Sequence, residues 1–172
     1  MIIRKFIWIF IGILVIMAWL LGFIIEAQAE TMKCKVARVV TKVETMPVGD
    51  EEGHILMMLI SEGLAFFENG DIANFKSPAV ADRMTGKVSQ SIGYTFFTFE
   101  DGSSIIGRFQ FSSIADQSGK MSTKSVGEII KGTGRYQGIT GTFSSTGKAF
   151  YLKGEADKYS ADVTITYTLP PK

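Results

Sequence analysis

Residues 127–151 read GEIIKGTGRYQGITGTFSSTGKAFY. A strand-like run enters at Gly127. Gly132-Thr133-Gly134-Arg135-Tyr136-Gln137-Gly138 then turns the chain, and Ile139-Thr140-Gly141-Thr142-Phe143 leaves as a second strand-like run. Glycine adopts positive φ at little steric cost and suits a sharp change of direction. Inside strand-like sequence it marks a bulge, a bend or a close backbone approach. The segment has a superficial likeness to a phosphate loop. Its glycines, however, are spaced GxGxxxG, and the dinucleotide fingerprint GxGxxG also needs a helix behind it. Residues 139–151 are Thr, Ser, Phe and Gly and read as strand. The stretch is therefore a glycine corner between two strands of a β-barrel.

Outward from the corner, the period-two pattern is clearest in 159–169. Tyr159, Ala161, Val163, Ile165, Tyr167 and Leu169 face one way, and Ser160, Asp162, Thr164, Thr166 and Thr168 the other, as in a sheet with one buried face. Valine-rich 34–44 is a strand with mixed faces. The next segment, 45–53, is an acidic loop. Asp50, Glu51 and Glu52 lack the alternate spacing of a calcium loop and read as a solvated turn. Asn69-Gly70 between apolar runs is a hairpin signal that joins strands 54–67 and 71–76, with Gly63 as a bulge or barrel bend. Residues 77–86, SPAVADRMTG, read as a connection with a helical turn as one option. Strands 87–99 and 103–114 meet at Asp101-Gly102. Residues 120–131 lead into the corner and 139–152 lead out of it. Eight short strands with turn signals and no convincing helix predict an all-β sandwich or closed barrel. An eight-stranded barrel is filled by side chains or holds one small ligand.

GTGRY, a short spacer and ITGTF together resemble the corner motif of the allene oxide cyclase and dirigent protein superfamily. The motif covers about 127–150, and the strand count over 34–169 fits the same fold. The resemblance implies a calycin-like, eight-stranded antiparallel closed barrel, related in shape to the lipocalins. It makes Gly132, Thr133, Gly134, Arg135 and Tyr136 structural. The plant enzymes' catalytic residues find no matching positions here, so none is carried over. Members of the superfamily form trimers through the barrel wall. Apolar residues on both faces of strand 87–99 (Phe97 and Phe99 opposite Tyr94 and Phe96) agree with a covered outer wall, so a homo-trimer is expected.

At the N-terminus, Arg4 and Lys5 precede an uncharged apolar run, residues 6–25, and Ala27-Gln28-Ala29 is a small-x-small cleavage site. Together these read as a signal peptide over 1–29, ahead of one domain, 30–172. The run is also long enough to span a bilayer as an uncleaved anchor, with Arg4 and Lys5 cytoplasmic; in that case residues 6–25 are the membrane contact. Either way the domain is exported, to the periplasm or outside the cell. Removing Arg4, Lys5 and Glu26 from 18 basic and 17 acidic residues leaves 16 of each. A neutral chain without a clustered basic face gives no nucleic-acid footprint. The lone Cys34 follows Thr31-Met32-Lys33, which is no lipobox. It reads as a plain buried or edge thiol.

A hydrolytic triad would need the one histidine, His54, and no Gly-x-Ser-x-Gly elbow is present. No His or Cys cluster makes a zinc site, and no cofactor is expected. If alternation holds, Tyr94 shares a face with Ile92 and Phe96, Arg108 with Ile106 and Gln110, and Glu128 with Val126 and Ile130. The expectation is that these faces line the barrel, with Tyr94, Arg108 and Glu128 around a small apolar ligand; the alternative is a structural pair or an outward position. The first reading of function is an exported small-ligand-binding barrel. The second is a cyclase or dirigent-type enzyme that steers cyclisation or coupling of a reactive small molecule, through orientation in a dry pocket. The third is a non-catalytic envelope interaction module.

Overall fold

In the computed structural model, described over residues 28–84, 86–115, 121–150 and 158–171, alternation is resolved by closure. Eight antiparallel strands follow one another around a closed barrel in chain order. They are β1 (Glu30–Pro47), β2 (His54–Phe67), β3 (Ile72–Met84), β4 (Ser89–Phe99), β5 (Ser104–Ala115), β6 (Met121–Thr133), β7 (Thr140–Phe150) and β8 (Lys158–Thr168). β1 pairs with β8 over Glu30–Val39, so no edge strand is left open. The apolar segment 6–25, with its signal or anchor reading, lies outside the described residues.

The barrel interior is graded along its axis. At one end Phe67, Phe97, Phe99, Ile105, Ile139 and Ile165 are buried in a single cluster. The Phe67 ring lies 5.1 Å from Phe99 and meets Phe97 edge-on at 5.9 Å, the arrangement that aromatic quadrupoles favour. The glycine corner caps this end. Gly134–Tyr136 forms one 3-10 turn, and Tyr136 is buried with its ring 4.9 Å from Phe99. Arg135 lies over Phe99 at 4.6 Å and donates to Asp71 at 2.6 Å, with Asp101 at 3.6 Å. One guanidinium thus ties the β2–β3 turn and the β4–β5 turn to the corner.

The corner needs its glycines. Gly134 has φ +58°, where a Cβ costs about 1–2 kcal/mol. A Cβ at Gly132 would run into the carbonyl oxygen of Tyr136 and the side chain of Ile139. Cys34 sits in the same cluster, 5% exposed, and burial pushes its thiol pKa up to about 12. It is an inert core thiol.

Two expectations are corrected, and one that left two alternatives is narrowed. Residues 77–84 are not a connection: they continue β3, pairing with β2 from Ser61↔Ser77 to His54↔Met84. Pro78 and the small residues around it read as a loop. Pro78 has no N–H to donate, and the ladder to β4 passes from Lys76↔Phe96 to Ala79↔Gly93. Of the two readings of Gly63, bulge or barrel bend, the bulge is excluded. Gly63 keeps register opposite Arg38 and Phe75, and a Cβ there would strike the Ala37 carbonyl. The bulge lies on β1, between Val40 and Lys42. Third, the faces of β4, β5 and β6 are inverted, as described below.

Gly132→Ala should lower stability by about 1–3 kcal/mol, the range for forced overpacking. A urea titration reads this directly, and an unchanged midpoint would show that the corner is not under steric constraint.

Candidate functional site

The inward positions of β4 are Ser91, Gly93, Thr95, Phe97 and Phe99. Those of β5 are Ile105, Gly107, Phe109, Phe111 and Ser113, and those of β6 are Met121, Thr123, Ser125, Gly127 and Ile129. Tyr94, Arg108 and Glu128 therefore point outward, together with Ile92, Gln110, Val126 and Ile130. The reason is bore. Phe143 fills the centre, and a Cβ at Gly107 or Gly127 would collide with its ring. A narrow barrel alternates large and small side chains to close-pack, so small residues take the inside here and apolar ones are left outside. The three residues do come together, with Tyr94↔Arg108 and Arg108↔Glu128 in register. Arg108 donates to Glu128 at 2.5 Å, but both side chains are more than half exposed. A solvated pair of this kind contributes about 0–1 kcal/mol and is not a buried site.

The inward cation is Arg38. In β1 it follows Cys34 and Val36 along the interior face, paired with Tyr159 on β8 and Gly63 on β2. Its guanidinium lies 4.9 Å from the Tyr159 ring centre and 5.7 Å from those of Phe75 and Phe111. Burial among these rings lowers its pKa, while Tyr159 acts in the opposite sense. Arginine stays protonated all the same, so the consequence is a desolvated charge rather than a titration. Cation–π contacts return about 1–2 kcal/mol each when desolvated. They supply no hydrogen-bond acceptor for the five N–H groups of the fork.

Arg38 lies where two interior cavities meet. One, about 60 Å³, opens toward the β1–β2 turn and passes Val40, Leu59, Arg83, Ser91 and Phe111. The other, about 40 Å³, runs deeper between Phe75, Ser77, Thr95, Phe109, Phe143 and Ser145. Ser77 Oγ and Thr95 Oγ1 are buried there without a hydrogen-bond partner; most buried polar groups do find one. By contrast Ser125 and Ser145 satisfy each other at 2.7 Å. The inward face thus changes from aromatic at the corner to hydroxyl-lined toward the opposite end, with one cation between.

At that end His54 is clamped. Its Nε2 lies 2.9 Å from Asp82, and its Nδ1 2.7 Å from Asp50. Asp50 of the acidic turn therefore holds the β1–β2 turn to the start of β2. Among the described residues no group of three or more His, Cys, Asp or Glu side chains could hold a metal.

No protein-family model matches the sequence, and no curated protein matches it. Solved structures similar in three dimensions include two that overlap most of this chain. One is a conserved protein of unknown function from Rhodopseudomonas palustris, 11% identical, with a TM-score of 0.54 over 81% of this chain and 98% of that one. The other is a pterocarpan synthase dirigent protein, 9% identical, with a TM-score of 0.50 over 83% of this chain and 89% of that one. The fold is the dirigent-type barrel. At these identities the likeness reaches no further than the fold. The glycine corner led to the right architecture. CKVARVVTKVE reads as a strand of mixed faces, a pattern that hides the inward position of Arg38. The available signal was an arginine in step with Cys34, Val36 and Val40.

The His54 clamp makes stability depend on pH. Hydrogen bonds to Asp82 and then Asp50 raise its pKa above 6.5. The protonated form is favoured in the folded state. The contribution is therefore complete below pH 6.5 and is lost as pH rises through the higher folded value. Urea midpoints measured from pH 5.5 to 8.5 should fall across that window, and His54→Gln should flatten the profile. Equal slopes in the two proteins would remove His54 as the cause.

Proposed function

We propose that the protein is an exported small-molecule-binding barrel whose site is the cavity around Arg38. One observation carries this reading: a half-buried guanidinium and two unpartnered hydroxyls, those of Ser77 and Thr95, line the same interior space. A barrel that served only as a rigid module would gain by filling that space with apolar side chains, since unsatisfied buried polar groups cost about 1–3 kcal/mol each. Aromatic faces and aliphatic side chains make up the rest of the wall, which suits a compact, largely apolar ligand body. A dirigent-type role, in which the cavity orients a reactive small molecule, is the alternative; its support is the barrel shared with the pterocarpan synthase dirigent protein, at the level of fold.

The proposal includes self-association through the outer wall. Met58, Val80 and Ile92 are exposed neighbours across β2, β3 and β4, and Tyr94 stands beside them. A second copy of the chain covering this row would remove an apolar patch from water.

Native mass spectrometry of the protein from its exported fraction tests these points together. The expected result is a chain beginning at Glu30, an oligomer, and a small-molecule adduct lost on denaturation. Retention of residues 1–29 would replace the signal by an anchor. A ligand-free protein whose melting temperature no small-molecule library raises would end the binding reading.

A further inference from the structure

We infer that the ligand is a small monoanion, a carboxylate on a compact apolar body, with its head group on the Arg38 guanidinium. The inference rests on the small-molecule reading above and names the ligand's chemistry. Its first support is charge. Both cavities are bounded by Arg38, and the one that opens toward the β1–β2 turn also reaches Arg83. Among the described residues lining them there is no Asp or Glu. The remaining titratable group on the walls is Tyr159, which lies under the guanidinium. Buried charges in proteins are normally paired. Here the described residues of the wall supply no counter-charge, and the guanidinium borders both cavities.

The second support is geometry. A planar guanidinium offers parallel N–H donors that match a carboxylate's two oxygens. The rings of Tyr159, Phe75 and Phe111 crowd the guanidinium at 4.9, 5.7 and 5.7 Å and offer its N–H groups no carboxylate or carbonyl acceptor. Ser77 and Thr95 add hydroxyl donors in the same deeper cavity.

The third is size and count. Volumes of about 60 and 40 Å³ hold a few waters each, at about 10–15 Å³ of such volume per water. They hold a head group and a small body, not a lipid. One desolvated cation balances one negative charge. Arg83 is exposed and solvated, so a phosphate dianion would keep an unbalanced charge in the interior. Solvated Arg83 instead draws anions toward the opening.

Isothermal titration calorimetry with the exported protein, in buffer free of other organic anions, tests this with isobutyrate and benzoate, with their amides, and with inorganic phosphate. Saturable binding of at least one carboxylate is expected, at least about tenfold tighter than its amide, a ratio that corresponds to one charge-assisted pair. Arg38→Met should abolish that preference while keeping the wild-type urea midpoint or raising it, because it removes an unpaired desolvated charge and keeps an apolar side chain of similar length. Arg38→Lys should retain part of the binding, since it keeps the charge and loses the fork. Amides that bind as well as the carboxylates would overturn the anion inference and leave the small-molecule reading standing. Phosphate bound more tightly than either carboxylate would also overturn it. Loss of folding in Arg38→Met together with an unaltered carboxylate preference in Arg38→Lys would make Arg38 a structural residue and remove it from the site. No binding of any probe, with an empty barrel in the mass spectrum, would end both readings.

Discussion

Everything in this barrel follows from its bore. Eight strands close around a space too narrow for a bulky side chain at every inward position. Phe143 takes the middle, and Gly107 and Gly127 make room for its ring. Phe67, Phe97 and Phe99 then stack toward one end, over small neighbours such as Ala65 and Ala73. Volume conserved across strands, rather than hydrophobicity along one strand, decides which residues face inward. That is why Ile92, Val126 and Ile130 are on the outside of a protein whose inside holds Ser77, Thr95 and Ser125.

The two ends of the barrel are not equivalent, and the corner is the cause. Arg135 holds Asp71 and Asp101 from two different turns while lying on the rings of Phe99 and Tyr136. Tyr136 then seals the aromatic end. Partly exposed ion pairs of this kind add little stability individually. Their effect here is geometric: they fix where the 3-10 turn sits and so keep the aromatic cluster dry. With that end shut, polar contents can reach water only at the other, where hydroxyls replace rings.

The architecture was legible in the sequence because it rests on local signals. Asn69-Gly70 and Asp101-Gly102 mark hairpins, the corner glycines mark the sharp turn, and Tyr159 to Leu169 alternate cleanly. The inward faces of β4 to β6 were not legible, because there the alternation of hydrophobicity runs opposite to burial. Reading Ile92, Val126 and Ile130 as core carried Tyr94, Arg108 and Glu128 inside with them. The three do meet, as cross-strand register requires, but on the outer wall. Small residues in step with aromatics, Thr95 with Phe97 and Gly107 with Phe109, carry the signal that survives. It appears only when neighbouring strands are read as one layer. β3 was cut short for another reason. Pro78 looks like a terminator, yet a barrel strand can lose a rung on one side and remain held on the other.

Arg38 shows what such a barrel gives up for a working interior. Val at that position would continue the run of Cys34, Val36 and Val40 and would bring no charge inside. Arginine instead carries a charge partly out of bulk water, and among the described residues no carboxylate lining the cavities meets it. Three aromatic rings recover part of that cost, but rings accept no in-plane hydrogen bond from the fork. The arrangement is stable enough to persist because the aromatic end supplies the packing that the hydroxyl end lacks. Stability and recognition are thus divided along one axis of one small fold. The residue that fits the local hydrophobic pattern least is the one around which the cavity is built.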